Sequence, residues 1–117
     1  MIEEYLAQAE AAERVDFADR KSVRRFNSAS DRMRIIVDEV VSRGSEAVLK
    51  FACLLDRKPA AKWAAHHLVE KADLDQATLA RCFARVEQAK ADAESTGNLA
   101  EALGEEWWLN EWRAKRS

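Results

Sequence analysis

Apolar residues recur every three or four positions through most of the chain, which is the spacing of amphipathic helices. The first segment also carries acidic side chains near its start, at Glu3 and Glu4. Acids in this position favour a helix because they lie at the positive end of its dipole. The pattern predicts a first helix whose buried stripe consists of Ile2, Tyr5, Leu6, Ala9 and Ala12.

A second stripe extends from about Asp19 to Arg43, with the polar residues Asn27 and Ser30 close to its inward edge. The segment is either one long helix that turns two polar residues inward, or two helices, the second capped by Ser30 or Asp31. We expect Asn27 to be a buried hydrogen-bonding residue, because an inward polar group must find a partner. The apolar members of the stripe are Val23, Phe26, Met33, Val37, Val40 and Val41.

Glycine and proline mark the next two boundaries. Gly44 accepts the left-handed conformation that closes a helix, and Ser45 is suited to cap the next one. Pro59 suits the first turn of a fourth helix, which we expect to run to about Lys71. The third helix carries the stripe Val48, Phe51, Ala52 and Leu55, and the fourth carries the small stripe Ala61, Ala64, Ala65 and Leu68.

The last third of the chain predicts one long helix and a terminal helix. Asp73 and Gln76 have the spacing of a capping arrangement for the fifth helix, which Gly97 interrupts. We expect residues 99–103 to form a short helical turn that ends at Gly104. The fifth stripe is Leu79, Cys82, Phe83, Val86, Ala89 and Ala93, and Trp108, Leu109 and Trp112 share a face of the terminal helix.

Composition points to an all-α fold. Three glycines and one proline in 117 residues leave little material for the many tight turns of a β-sandwich or barrel. A hydrophobic content of 48% excludes a disordered chain of low hydrophobicity, and the length suits one domain spanning residues 1–117.

Charge is nearly balanced over the whole chain but unevenly distributed. The formal net charge of -2 is not that of a dedicated nucleic-acid binder, so we do not expect nucleic acid as the main partner. Residues 14–34 nevertheless carry a net charge of +4, whereas residues 70–106 carry -5. The basic stripe is either a solvated helix face or a site for an anionic partner. Its members are Arg14, Arg20, Lys21, Arg24, Arg25, Arg32 and Arg34.

The two cysteines and the N-terminal residues favour a cytoplasmic protein. Cys53 and Cys82 lack a CxxC pattern and lie at positions that we interpret as apolar helix faces, so we expect small core residues in a reducing compartment. The acidic start at residues 1–5 differs from a secretory signal, and no apolar run approaches the length that spans a bilayer.

No pattern of catalytic or cofactor-binding residues is present. The sequence contains no HExxH, CxxC, GxSxG or phosphate-binding glycine loop, so we predict no catalysis, no cofactor and no metal. His66 and His67 are adjacent and would point in different directions on a helix. His66 has i,i+4 spacing to Glu70, but two ligands without a third favour ordinary packing and hydrogen bonding over a metal site.

Four tryptophans are a large share of aromatic area for a chain of this size. Trp108 and Trp112 lie four residues apart on the inward stripe, so we expect both to dock the last helix on the core. Trp107 and Trp63 lie off their stripes. Together with the basic residues Arg24 and Arg25, they are the candidate residues of a protein interface.

The segment around Pro59 resembles a junction between HEAT-type helices. Residues 54–68 read LLDRKPAAKWAAHHL, in which a Leu pair ends one helix and the next carries a basic residue, an Ala pair and a Leu. A wider similarity includes Phe26, Asn27, Asp31, residues 35–37 and Gly44. The chain is similar in these residues to the bacterial HEAT-like family catalogued as the domain of unknown function numbered two-zero-one-nine. The position of Pro59 and the cluster at residues 107–112 depart from that pattern.

The resemblance implies antiparallel helix pairs stacked as a small HEAT-like α-α superhelix of about five to six helices, and it implies no catalytic residues. We expect a module that binds an unidentified protein partner. One version is an immunity or antitoxin-like inhibitor whose acidic segment, residues 70–106, meets a basic toxin. The alternatives are nucleic-acid backbone binding through the basic 14–34 stripe and a purely structural homodimer formed through the Trp-rich last helix.

Overall fold

The computed structural model describes residues 1–116, which are helical apart from short connections and contain no strand. This confirms the predicted all-α class. The helices pack in contact pairs, as in small helical-repeat folds. They are α1 (Ile2–Glu13), α2 (Arg20–Ser42), α3 (Ser45–Phe51), α4 (Ala60–Lys71), α5 (Gln76–Ser95) and α6 (Leu99–Arg116), and a 3-10 turn (Ala52–Asp56) follows α3.

Helix α4 lies at the centre of the fold. Five of its residues, Ala60, Ala64, Ala65, Leu68 and Val69, have no exposed surface. Three of them are alanines, whose small side chains allow neighbouring helices to approach. Ala64, Ala65 and Leu68 are buried as predicted, whereas Ala60 takes the inward position expected for Ala61, which is only partly buried. The largest fully buried side chains around it include Tyr5, Phe51, Met33, Ile36, Leu54 and Leu55.

Contacts between side chains give the direction of the helices that flank α4. Near the start of both helices, Lys62 of α4 lies against Glu101 of α6. Near the end of α4, Glu70 lies against Trp108 in the second half of α6. These two helices are therefore parallel. Helix α5 runs opposite to α6, since Arg113 pairs with Glu87 and Lys90 lies near Glu106.

Helix α2 is continuous and begins after Asp19, whose side chain accepts a hydrogen bond from the Lys21 N–H. This settles the choice between one helix and two. The prediction that Asn27 is buried was wrong: Asn27 is exposed. Phe26 and Ala29, which lie on either side of Asn27 in the sequence, face inward. The Asn27 side chain lies at the edge of the buried stripe and is exposed to solvent.

Gly44 ends α2 as predicted, with a φ of 101° that L side chains rarely adopt. The expected cap by Ser45 was wrong, because Gly44 itself occupies the N-cap position and Ser45 is the first residue of α3. Pro59 precedes α4 as its N-cap residue, one position earlier than the predicted first turn, and the Lys58–Pro59 peptide bond is cis.

Two predictions for the last helices were also wrong. The cap of α5 is Asp75, whose carboxylate accepts a hydrogen bond from the Thr78 N–H at 2.6 Å, whereas Asp73 is exposed. Gly104 ends no helix but lies inside α6, where its backbone is ordinary helix. Helix α6 begins one residue after Asn98, whose side chain accepts from the Glu101 N–H and donates to the Glu101 carboxylate.

The two cysteines differ in exposure. Cys82 is fully buried as predicted, but the prediction that Cys53 is a core residue was wrong, because Cys53 is exposed. Cys53 lies in the 3-10 turn, whose three residues per turn shift the inward direction relative to an α-helix. Ala52, Leu54 and Leu55 take the inward positions instead.

Candidate interaction surfaces

Helix α6 has an inner face that docks on α4 and α5. Trp108 is buried, and its indole N–H donates to Glu70 Oε2 at 2.9 Å. Its ring lies 4.2 Å from the His66 ring and 6.3 Å from that of the half-buried Trp112, measured between centroids. Trp108 therefore anchors the last helix as predicted, and Trp112 packs against the edge of the core.

The opposite face of α6 exposes three large apolar side chains. Leu99, Leu103 and Trp107 are 68%, 65% and 70% exposed. They lie four residues apart in sequence, so they follow one another along the helix surface. We call them the outer stripe. Trp107 is the residue that the sequence singled out for an interface, but Leu99 and Leu103 were missed because the predicted break at Gly104 separated them from it.

Trp63 lies half-buried at the start of α4. Its indole N–H donates to Glu13 Oε1 at 2.9 Å, and its ring packs edge-on against Phe26 with centroids 5.9 Å apart. Phe26 in turn contacts Phe17, an exposed residue in the connection between α1 and α2, at 5.7 Å. Trp63 thus belongs to a row of aromatic rings that reaches from the core to the surface.

Arg24 and Arg25 are exposed and form no ion pair within residues 1–116. Arg14, Arg20 and Lys21 are exposed and unpaired in the same way. We call these five residues the basic cluster. The remaining members of the predicted stripe have acidic partners, since Arg32 pairs with Glu4 and Arg34 lies 3.9 Å from Asp31.

Most acids of the acidic segment, residues 70–106, contact a cationic side chain or a histidine of the protein itself. Glu87 pairs with Arg113, and Glu94 and Glu106 lie within 4 Å of Lys90. Glu70, Glu101 and Glu105 face His66 or Lys62. Six of the nine acids in the segment therefore have an internal contact of this kind within residues 1–116.

A groove of about 470 Å³ opens beside the start of α4, and most of its charged side chains have partners within the protein. Lys62 lies 2.9 Å from Glu13 and 2.8 Å from Glu101. Burial lowers the pKa of Lys62, but hydrogen bonds to the two carboxylates more than offset it, so its pKa lies above the usual value. On the opposite wall, Arg85 donates hydrogen bonds to the Leu55 carbonyl and to the Asp56 carboxylate.

The adjacent histidines serve two different contacts. His66 Nε2 lies 2.8 Å from Glu105 Oε2 and joins α4 to α6. His67 is buried and contacts Tyr5 of α1. These contacts agree with the expected packing and hydrogen bonding.

Residues 1–116 contain no group of three or more side chains placed to hold a metal ion. Within the same range, no helix combines the length and apolar character needed to cross a membrane.

Comparisons with protein-family models, with curated proteins and with solved structures found no match to this chain. The resemblance to the HEAT-like family therefore stays a prediction. Two surfaces of the fold are candidates for a functional contact: the outer stripe of α6 and the basic cluster.

Proposed function

We propose that this protein is a protein-binding module and that the outer stripe of α6 is its contact surface, without a cofactor or a catalytic step. The observation that carries the proposal is the exposure of Leu99, Leu103 and Trp107 on one face of a helix whose other face is firmly docked. Large apolar side chains grouped on a surface mark interaction sites, and tryptophan is enriched among residues that dominate binding energy.

The size of this surface favours a transient complex with another protein. Leu99 and Trp107 are eight residues apart, so the stripe is only about 12 Å long and covers a small area. Obligate homodimers usually bury more than about 2,000 Å². A partner with an apolar groove that accepts a helix fits the stripe better, since such grooves bind residues spaced three or four apart.

The immunity or antitoxin-like version is part of this proposal, with one change in the expected contact. Because the acids of residues 70–106 are mostly paired internally, the outer stripe is the better candidate for contact with a toxin. Cytoplasmic location remains part of the proposal, supported by cysteines that form no disulfide. Membership of the HEAT-like family is likewise proposed, supported by the paired helices.

The test compares protein partners recovered from the native cells with tagged parent, Leu103→Glu and Leu49→Glu. Leu49 is 57% exposed on α3, so it is a matched control on another face. We expect one partner, identified by mass spectrometry, to be lost with Leu103→Glu and kept with Leu49→Glu. Equal recovery with all three proteins contradicts the proposal. Light scattering of the parent tests the homodimer alternative, which a monomeric parent excludes.

A further inference from the structure

The cations without an acidic partner are concentrated at one place in the fold. Within residues 1–116, every lysine and arginine outside the basic cluster has an acidic or carbonyl partner within 4 Å, except Lys58. The five members of the basic cluster all lie between residues 14 and 25. The protein thus leaves one surface region positively charged although its net charge is -2.

The acids nearest to the basic cluster in sequence do not pair with it. Asp16 accepts a hydrogen bond from the Ala18 N–H, and Asp19 accepts one from the Lys21 N–H. Both carboxylates therefore stabilise the turn before α2. On α2 itself, Arg20 and Arg24 are four residues apart, as are Lys21 and Arg25, so the cations form two adjacent rows over the first two turns.

An exposed aromatic ring lies in the same connection as part of the basic cluster, since Phe17 stands between Arg14 and Arg20 in the chain. Phe17 is 73% exposed, although its edge contacts Phe26. The connection that carries Phe17 is tied to α2, because the Asp16 N–H donates to Ser22 Oγ at 2.7 Å. The Phe17 ring is the outermost of a row of aromatic rings that continues through Phe26 to Trp63. A large ring exposed to water offers a flat surface for stacking.

Cations that follow a backbone, together with exposed aromatic rings, are the two elements by which proteins bind single-stranded nucleic acid. We infer that the basic cluster and Phe17 form a binding site for single-stranded RNA or DNA, with the cations contacting phosphates and a base stacking on Phe17. This site is separate from the outer stripe and goes beyond the proposed protein-binding function. An acidic protein segment would use the same cations but would not need the ring.

The test is fluorescence anisotropy with a labelled single-stranded oligonucleotide of mixed sequence, at low salt and again at raised salt. We expect the affinity of the parent to fall with salt at a slope of about -0.7 per phosphate contacted. The double variant Arg24→Glu/Arg25→Glu should bind at least about tenfold more weakly and show a flatter slope. Phe17→Ala should also lose about tenfold but keep the slope of the parent, because it removes stacking and no charge.

Lys58→Glu is the matched control, since Lys58 is also exposed and unpaired but lies before α4. It should bind nearly as the parent does. Absence of binding at low salt overturns the inference, as does an equal loss for Lys58→Glu and the double variant. Binding to duplex DNA that is as tight and is insensitive to Phe17→Ala also overturns it. Circular dichroism of each variant checks that the fold is retained.

Discussion

The hydroxyl group of Tyr5 lies 2.7 Å from Nδ1 of His67, and both side chains are buried between α1 and α4. Burial lowers the pKa of His67 to about 4, with a further contribution from the charge of His66. Burial also raises the pKa of Tyr5 above its ordinary range, so the phenol remains protonated. A neutral phenol and a neutral imidazole therefore share this hydrogen bond, with its direction set by the tautomer of His67, and the Tyr5 ring also packs edge-on against Phe51 at 4.8 Å.

This pair predicts a loss of stability in mild acid. In the unfolded chain His67 titrates near 6.5, whereas in the fold it resists protonation until about pH 4. The unfolded state thus binds more protons in this window, and the free energy of unfolding should fall by about 3 kcal/mol as the pH drops through it. Urea unfolding at several pH values measures this. His67→Gln should remove most of the fall, and an unchanged fall in that variant would contradict the assignment.

The adjacent residues Trp107 and Trp108 should differ sharply in their contribution to stability. Trp108→Ala removes a buried ring and leaves Glu70 without its indole donor, so we expect a loss of about 3–5 kcal/mol. Trp107→Ala changes an exposed side chain and should shift the free energy of unfolding by less than about 0.5 kcal/mol. Urea titration followed by circular dichroism compares the two. Similar losses in both variants would show that α6 is docked differently.

Gly104 offers a stabilising substitution. An added Cβ at this position meets nothing within 4 Å, and alanine favours a helix interior over glycine. Gly104→Ala should therefore raise the free energy of unfolding by about 0.5–1 kcal/mol. Gly97→Ala is the matched control: its space is equally open, but its φ of 77° disfavours a side chain, so it should destabilise. Thermal melting of both variants measures the difference in sign.

The two cysteines should react with thiol reagents at very different rates. Cys53 is exposed in the 3-10 turn, whereas burial raises the pKa of the Cys82 thiol to about 12. We expect one thiol per chain to react rapidly in native buffer and the second only after denaturation. Cys53→Ser should abolish the rapid phase. Rapid labelling of the Cys53→Ser protein would place Cys82 in contact with solvent.

The helices could be predicted from the sequence because their buried stripes are continuous. The stripe that includes Met33 and Val37 locates α2, and Gly44 ends it through a conformation that few other residues adopt. Gly104 was misinterpreted because a glycine inside a helix costs only about 1 kcal/mol, which packing of Trp108 and Leu109 outweighs. That error concealed the outer stripe, whose spacing is regular only if α6 is unbroken.

The remaining features depend on which helices meet, and local spacing carries no such information. The contact of His67 with Tyr5 joins residues 62 positions apart. Whether a cation has an acidic partner is also a tertiary property: Arg32 contacts Glu4 on the neighbouring helix, whereas Arg25 contacts no acid among residues 1–116. The basic stripe in the sequence therefore separated into paired and unpaired members only in the folded protein.

The central claim, that the outer stripe contacts a protein, is tested most directly by photocrosslinking in the cells that produce this protein. A photoreactive phenylalanine analogue replaces Leu103 or Trp107 in turn, and Leu49 serves as the control position with similar exposure. We predict a defined crosslinked band, identified by mass spectrometry as one protein, from positions 103 and 107 and none from position 49. No crosslink from either stripe position, or the same band from position 49, would contradict the claim.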